Sequence, residues 1–354
     1  MMKKLFPKLS IWLTNARVGA CVQSFMPAAL AAILAIGVSG GSWILAILAI
    51  LGVECAHLAM NLADDYFDYK VDMKGDRDRV IRKGFRAMTA KYPYLTDGSQ
   101  DLRTTARAIG QFTIVAALCG IAIFVVRTVR NGFTGPDGSW WIPATALACG
   151  FLGFFYSAPP LKLAYRGLGE LVVGLIFGPL LMTGVYYSAA GTMDWGIALI
   201  SIPVGILVMN ILFTHSFIDM AADAESNKMT FARLLGSEKA CLSTSFVINL
   251  LPFALIIAAV CAGMLSPFYL IVLIVLPRAI WLCSSLVKFC RHEEGVTDVP
   301  EKPYPWLGKM PGNWEDIRKA GIDWFLMRWL CARNVLSGFC LMLILAKVAT
   351  LIFG

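Results

Sequence analysis

Apolar stretches of about 20 residues recur along the whole chain with charged residues confined between them, the pattern that a hydrocarbon layer roughly 30 Å thick demands. With no water to satisfy the backbone, each such stretch must close its hydrogen bonds internally as a helix. Of 354 residues, 58% are hydrophobic and only 15% charged, more apolar surface than one water-soluble core can bury. A soluble globular enzyme is excluded, as are disordered and collagen-like chains. The expected fold class is all-α: a polytopic membrane bundle of nine transmembrane helices, near 18–38, 42–61, 106–127, 140–157, 168–190, 195–214, 241–262, 266–286 and 329–353. Residues 1–354 are read as one transmembrane domain with a polar loop at 287–328.

The 31 Lys and Arg exceed the 23 Asp and Glu, and position explains the excess, so no nucleic-acid partner is expected. The N-terminus and segments 62–105, 158–167, 215–240 and 287–328 collect nearly all the basic residues. Segments 39–41, 191–194 and 263–265 have none, and 128–139 carries Arg130, with Arg127 at its edge. The positive-inside rule then sets the N-terminus in the cytoplasm and the C-terminus outside, in what reads as the cytoplasmic membrane of a prokaryote. Met1 to Ser10 is basic and lacks a small-residue cleavage site, so the first span reads as a retained anchor. Ten dispersed cysteines without a CxxC read as small buried hydrophobes. Gly167, Gly169, Gly174 and Gly178 suit close helix packing. Segment 287–328, with four prolines and Trp306, Trp314 and Trp324, is either a lid or a connector whose tryptophans rest at the headgroups.

Two acidic clusters on the basic side carry the chemistry. If span two continues as a helix, Asn61, Asp65, Asp68 and Asp72 share one face, with Asp64 flanking it. The second cluster sets Asp219 and Asp223 one turn apart, with His215 a turn earlier and Asn227 a turn later. Stacked carboxylates repel by about 1 kcal/mol per close pair in water and more near lipid, so a cation is required. Hard oxygen ligands in this number suit Mg²⁺, which leaves positions open for water and substrate phosphate. Two facing clusters can clamp a diphosphate through metal ions, with Lys74, Arg77, Arg79, Lys228 and Arg233 taking the remaining phosphate oxygens. A diphosphate head at the mouth of an apolar bundle points to a prenyl diphosphate. The metal-bound diphosphate would leave to give an allylic cation, kept from water by apolar surroundings and faced by Phe67, Phe151, Phe154, Phe155 and Tyr156. For any one of these rings, ordinary helix packing is the competing reading. His57 reads as a packed, hydrogen-bonded histidine, while His215 suits either role.

These motifs resemble the UbiA-type membrane prenyltransferase superfamily, whose signatures are NDxxDxxxD after the second helix and DxxxD after the sixth. Here they stand as Asp64-Asp65-Tyr66-Phe67-Asp68-Tyr69-Lys70-Val71-Asp72 and Asp219 to Asp223, with Asp64 in place of the usual Asn. The resemblance covers roughly residues 15 to 286. It implies nine transmembrane helices with the site at the cytoplasmic face, two Mg²⁺ bridging the prenyl diphosphate, and transfer to an aromatic acceptor. Residues 61–69, 165–170 and 227–236 look like the 1,4-dihydroxy-2-naphthoate prenyltransferases of menaquinone synthesis. Tyr156-Ser157-Ala158-Pro159-Pro160-Leu161-Lys162 instead resembles the chlorophyll-synthase and homogentisate branches, so homogentisate, 4-hydroxybenzoate or chlorophyllide-type acceptors stay open.

On this reading Asp64, Asp65, Asp68, Asp72, Asp219 and Asp223 bind metal, with Asn61 in support, and Arg77, Lys228 and Arg233 hold the diphosphate. Tyr156 and Lys162 would orient the acceptor, against an alternative in which Tyr156 is an interfacial anchor. Loss of a proton or of CO₂ would restore aromaticity. Two rivals remain: a cation-coupled transporter with mid-bilayer carboxylates, and a lipid-binding scaffold without catalysis. Asp64 to Asp68 also spells the DDxxD of soluble chain-elongating synthases, which the composition excludes.

Overall fold

The computed structural model describes residues 7–72, 92–225, 228–291 and 298–354. It is all-helical: among the described residues no strand forms, and one isolated parallel bridge joins Arg166 to Met229. The helices used below are α1 (Pro7–Asn15), α2 (Val22–Leu34), α3 (Trp43–Asp72), α4 (Leu102–Asn131), α5 (Trp141–Ser157), α6 (Gly169–Ala190), α7 (Ile197–Ile218), α8 (Met220–Glu225), α9 (Glu238–Cys261), α10 (Leu276–Cys290) and α11 (Asp323–Phe353). A 3₁₀ stretch, Pro267–Val275, leads into α10. Among the described residues seven helices are long and apolar enough to cross a membrane, α3, α4, α6, α7, α9, the Pro267–Cys290 pair and α11. Leu9–Asn15 and Val18–Leu34 make an eighth if counted as one span bent by 66°, and α5 is a shorter apolar helix.

Local chemistry sets the ends. Asp101 caps α4, accepting from the Thr104 amide at 2.6 Å while its own N–H donates to the Thr104 hydroxyl at 3.1 Å. Ser237 caps α9 through the Ala240 amide at 3.2 Å. Span one does not run as one straight helix from residue 18. Its first turn, Val18–Cys21, is 3₁₀ and follows Arg17, whose left-handed backbone breaks the chain from α1 and re-aims it into α2. Span two continues past residue 61 as an unbroken helix to Asp72, while α7 stops at Ile218 and α8 begins after Asp219.

Helix α7 is the axis of the bundle, with Val204, Leu207, Val208 and Ile211 fully buried and α6, α9 and α11 packed around it. Helix α4 lies along α3 and turns Ile114, Leu118, Ile121, Val125 and Val129 outward. The crossing of α6 on α7 has no room for a side chain: a Cβ on Gly178 would stand 2.4 Å from Gly205 Cα, and one on Gly205 2.6 Å from the Gly174 carbonyl. At this crossing Ile176–Leu180 widens into a π-turn that contains Pro179.

The end of the bundle away from the acidic clusters is tied by a buried cation. Arg127 donates to the carbonyls of Gly40 (3.2 Å), Ser188 (2.8 Å) and Ala189 (2.8 Å), joining α4 to the turn after α2 and the last turn of α6. Near the other end, the polar connector after α10 is fastened to α10 and α11. Arg278 donates to the Trp306 carbonyl at 2.7 Å, and Asn334 Nδ2 donates to those of Leu307 and Lys309 at 3.1 Å each. The buried Arg328 side chain bonds Asp298 and the carbonyls of Ser285 and Trp324.

Two substitutions test these ties by thermal unfolding in detergent. Gly178→Ala forces α6 from α7 and should destabilise by about 1–3 kcal/mol. Arg127→Met strips three carbonyls of their donor and should cost about 2–4 kcal/mol.

Candidate active site

Helix α3 carries the first cluster as the spacing predicts, and the structure adds what holds it. Asp65 and Asp68 are 1% and 2% exposed, so their carboxylates need directed partners. Arg17 supplies one, with Nη1 3.0 Å from Asp65 Oδ1 and Nη2 3.5 Å from Asp64 Oδ2. The same guanidinium donates to the Asn61 carbonyl at 3.1 Å, and Asn61 Nδ2 donates to the Ala16 carbonyl at 2.9 Å. Asn61 thus clasps the break before span one. Left-handed backbone at a non-glycine residue costs about 1–2 kcal/mol, which these charge-assisted bonds offset.

Hydroxyls complete the first cluster. Tyr94, in the loop before α4, donates to Asp65 Oδ2 at 3.1 Å. Burial, together with the charge and hydrogen bond of Asp65, pushes the Tyr94 phenol up, so it remains a donor. Ser157, at the end of α5, donates to Asp64, and Tyr165, in the turn between α5 and α6, donates to Asp68 Oδ1 at 2.5 Å. Asp72 closes α3, and only its backbone is described; Arg77 and Asn227 lie outside the described residues, as do Lys74 and Arg79.

The second cluster forms where α7 gives way to α8. The Asp219 amide donates to His215 O at 3.0 Å and the Asp223 amide to Asp219 O at 2.8 Å, so the two acids keep one-turn spacing across the break. Both are nearly buried, at 3% and 5% exposed. His215 Nε2 lies 3.5 Å from Asp219 Oδ2, and its ring meets Phe325 at 5.3 Å. Arg233 Nη1 donates to the carbonyls of Lys228 (2.6 Å) and Asp223 (3.2 Å), clipping the turn between them. That nitrogen is therefore engaged with backbone, a structural duty that the sequence did not disclose.

The turn that carries Tyr165 joins the first cluster to the segment that follows the second. The tyrosine hydroxyl holds Asp68, while Lys228 Nζ lies 6.0 Å and Lys162 Nζ 5.8 Å from its ring centroid. The Gly167 amide donates to the Met229 carbonyl at 2.8 Å, and the buried Glu170 carboxylate accepts from the Phe231 amide at 3.3 Å. Segments 165–170 and 228–231 are thereby laced together beside both acidic sets. Tyr156 packs over the start of α6, where a Cβ on Gly169 would stand 3.4 Å from its hydroxyl. Among the described residues three non-glycine residues have positive φ, Arg17 (57°), Tyr92 (46°) and Lys162 (45°). Arg17 pairs with Asp64 and Asp65, Lys162 lies beside the Tyr165 ring, and Tyr92 packs on Tyr69 of α3 with ring centroids 5.6 Å apart. Backbone strain of this kind concentrates where function fixes a side chain.

The expected aromatic wall is mixed. Phe67 meets Phe154 edge-on at 5.7 Å, but Phe151 and Phe154 are about half exposed on the bundle's outer surface. His57 is packed as expected, its Nδ1 2.7 Å from Ser24 Oγ and its ring 4.8 Å from Phe177. Sequence reasoning gave no role to Arg17, Tyr94, Ser157, Tyr165 or Glu170. Tyr165 and Glu170 stood inside a motif-like segment, and Arg17 was a lone cation at the head of an apolar run. Ser157 stood inside the Tyr156–Lys162 motif without a role of its own, and Tyr94 had no pattern to betray it.

Residues 101–295 match the model of the UbiA prenyltransferase family. The chain is 24% identical over 272 residues to the 1,4-dihydroxy-2-naphthoate octaprenyltransferase of Bacillus subtilis, spanning 75% of this chain and 78% of that one. It is 39% identical over 97 residues to the 2-carboxy-1,4-naphthoquinone phytyltransferase of Synechocystis, 26% and 32% of the two chains. In fold it resembles a UbiA homolog from Archaeoglobus fulgidus solved with GPP and Mg²⁺, at TM-score 0.57 and 14% identity, over 94% of this chain and 99% of that one. With an all-helical bundle, seven or more helices apolar enough to span a bilayer, and a family match across more than half its length, the chain belongs to the UbiA prenyltransferase family of integral-membrane alkyl transferases.

Proposed function

We propose that this protein transfers a prenyl group from a prenyl diphosphate to 1,4-dihydroxy-2-naphthoate. The observation that carries this reading is that segments 165–170 and 228–231, joined by the Gly167 amide on the Met229 carbonyl, each hold one buried acidic set: Tyr165 bonds Asp68, and the Lys228 amide bonds the Asp223 carbonyl. The naphthoate-directed relatives favour the acceptor. The donor set at the two clusters consists of carboxylate oxygens, which fits Mg²⁺. Asp64, Asp65, Asp68, Asp72, Asp219 and Asp223 would hold two such ions, which when bound neutralise the diphosphate and make it a better leaving group.

The chain's own residues do the rest. Arg17, Tyr94, Ser157 and Tyr165 fix the carboxylates of α3 so that they need not reorganise as charge develops. Lys228 and Lys162, flanking the Tyr165 ring, offer cations to the departing diphosphate and to the acceptor's carboxylate. Arg77 is assigned to the diphosphate by the sequence, and Arg233 acts by holding the 223–228 turn. The allylic C–O bond breaks with its electron pair going to diphosphate, and the acceptor ring carbon that bears the carboxylate forms the new C–C bond. Release of CO₂ from that ring restores aromaticity, with Tyr156 orienting the acceptor beside the first turn of α6. Apolar helix faces exclude the water that would otherwise capture the cation.

In the membrane, nine apolar elements cross with the N-terminus in the cytoplasm and the C-terminus outside, as one domain. Arg17, Lys162, Arg166, Lys228, Arg233 and Lys239 at the site end support that orientation.

Membranes carrying the protein, incubated with labelled prenyl diphosphate, Mg²⁺ and a panel of aromatic acceptors, should prenylate the naphthoate. Asp68→Ala and Asp219→Ala should each reduce product by more than about a hundredfold. Unchanged product in both variants overturns the site, and transfer to homogentisate instead overturns the acceptor. Tyr165→Phe should leave the fold intact and raise the Mg²⁺ concentration for half-maximal activity by about tenfold.

A further inference from the structure

Between α2 and α3, on the bundle side of Asn61, lies a polar knot that the prenyl transfer does not use. Cys21 ends the 3₁₀ turn before α2, and Ser24 stands one turn later; Glu54 and His57 face them from α3. The Sγ of Cys21, a carboxylate oxygen of Glu54 and a ring nitrogen of His57 all lie within 4.8 Å of one another. Ser24 Oγ sits 2.7 Å from Glu54 Oε1 and 2.7 Å from His57 Nδ1. Cys21 and His57 are buried and Glu54 half-buried.

This donor set differs in kind from the acidic clusters. Thiolate and imidazole select a borderline-soft ion, where clustered carboxylates select a hard one. Glu-x-x-His across one helical turn is also a spacing by which helix bundles hold metals in their interior. Charge favours the same answer. One thiolate and one carboxylate against a dication sum to zero, which removes the penalty of isolated charge in an apolar interior.

We propose that Cys21, Glu54 and His57 bind a structural Zn²⁺, with Ser24 Oγ or a water in the fourth position. A tetrahedral zinc draws its ligand atoms to about 3.5 Å from one another, a contraction within reach of side-chain rotation. Binding displaces the thiol proton, and any proton on the carboxylate, to solvent. The ion would clamp the 3₁₀ turn to α3 one helical turn from Asn61. It would thereby brace the break that presents Arg17 to Asp64 and Asp65.

The test uses the full chain purified in detergent, with excess Mg²⁺ present so that the acidic clusters do not hold zinc. Wild type, loaded with Zn²⁺ and dialysed, should retain one zinc per chain by mass spectrometry. Loaded with Co²⁺, it should give the sulfur-to-metal charge-transfer band of a thiolate ligand. Cys21→Ser should abolish that band, and both Cys21→Ser and His57→Asn should lower retained zinc at least tenfold while eluting as monodisperse species. Should a variant not fold, the wild-type cobalt spectrum decides alone. Absence of the thiolate band, or zinc retention that Cys21→Ser leaves unchanged, overturns the proposal.

Discussion

Negative charge taken out of water at the mouth of an apolar bundle is the constraint on which this structure turns. Asp65, Asp68, Asp219 and Asp223 are almost wholly buried, and a carboxylate in that position persists only where positive charge or well-placed donors surround it. Much of the irregular geometry at this end answers that need. The break before span one brings Arg17 down onto α3, the loop before α4 delivers the Tyr94 hydroxyl, and the turn after α5 delivers Tyr165. Regular helix could have supplied the carboxylates but not their partners, which is why the strained residues gather here.

The two ends of the bundle solve opposite problems. At the far end a cation, Arg127, is surrounded by carbonyl oxygens that helix termini leave over, so one side chain satisfies several groups and ties three segments. At the site end the acids outlast what nearby helix termini can offer, and residues distant in the chain must meet them. The far end is thus closed and structural, and the near end is built around charge.

Legibility from the sequence followed the same division. The apolar runs and the face shared by Asn61, Asp65, Asp68 and Asp72 could be read directly, because α3 is an unbroken helix and periodicity determines what lies together. Asp219 and Asp223 kept their spacing even though α7 ends between His215 and Asp223, since the amide bonds carry the one-turn pattern through the kink. Arg17 escaped because it pairs with Asp65, 48 positions away, through a left-handed residue that no proline or glycine marks. Arg233 looked like a phosphate ligand by type, and its grip on backbone carbonyls emerges only when the turn is folded. Short-range pattern finds what one helix presents; it does not find what another segment brings to it.

The fastening of the polar connector to α11 bears on how the protein is made. The carbonyl of Leu307 finds its donor in Asn334, 27 residues further along, inside the last helix. On a ribosome building the chain from its N-terminus, that partner does not yet exist when residues 304–310 emerge. This corner of the molecule therefore consolidates only after synthesis of α11 is under way, and a stop codon before Asn334 would leave the Leu307 carbonyl without its donor.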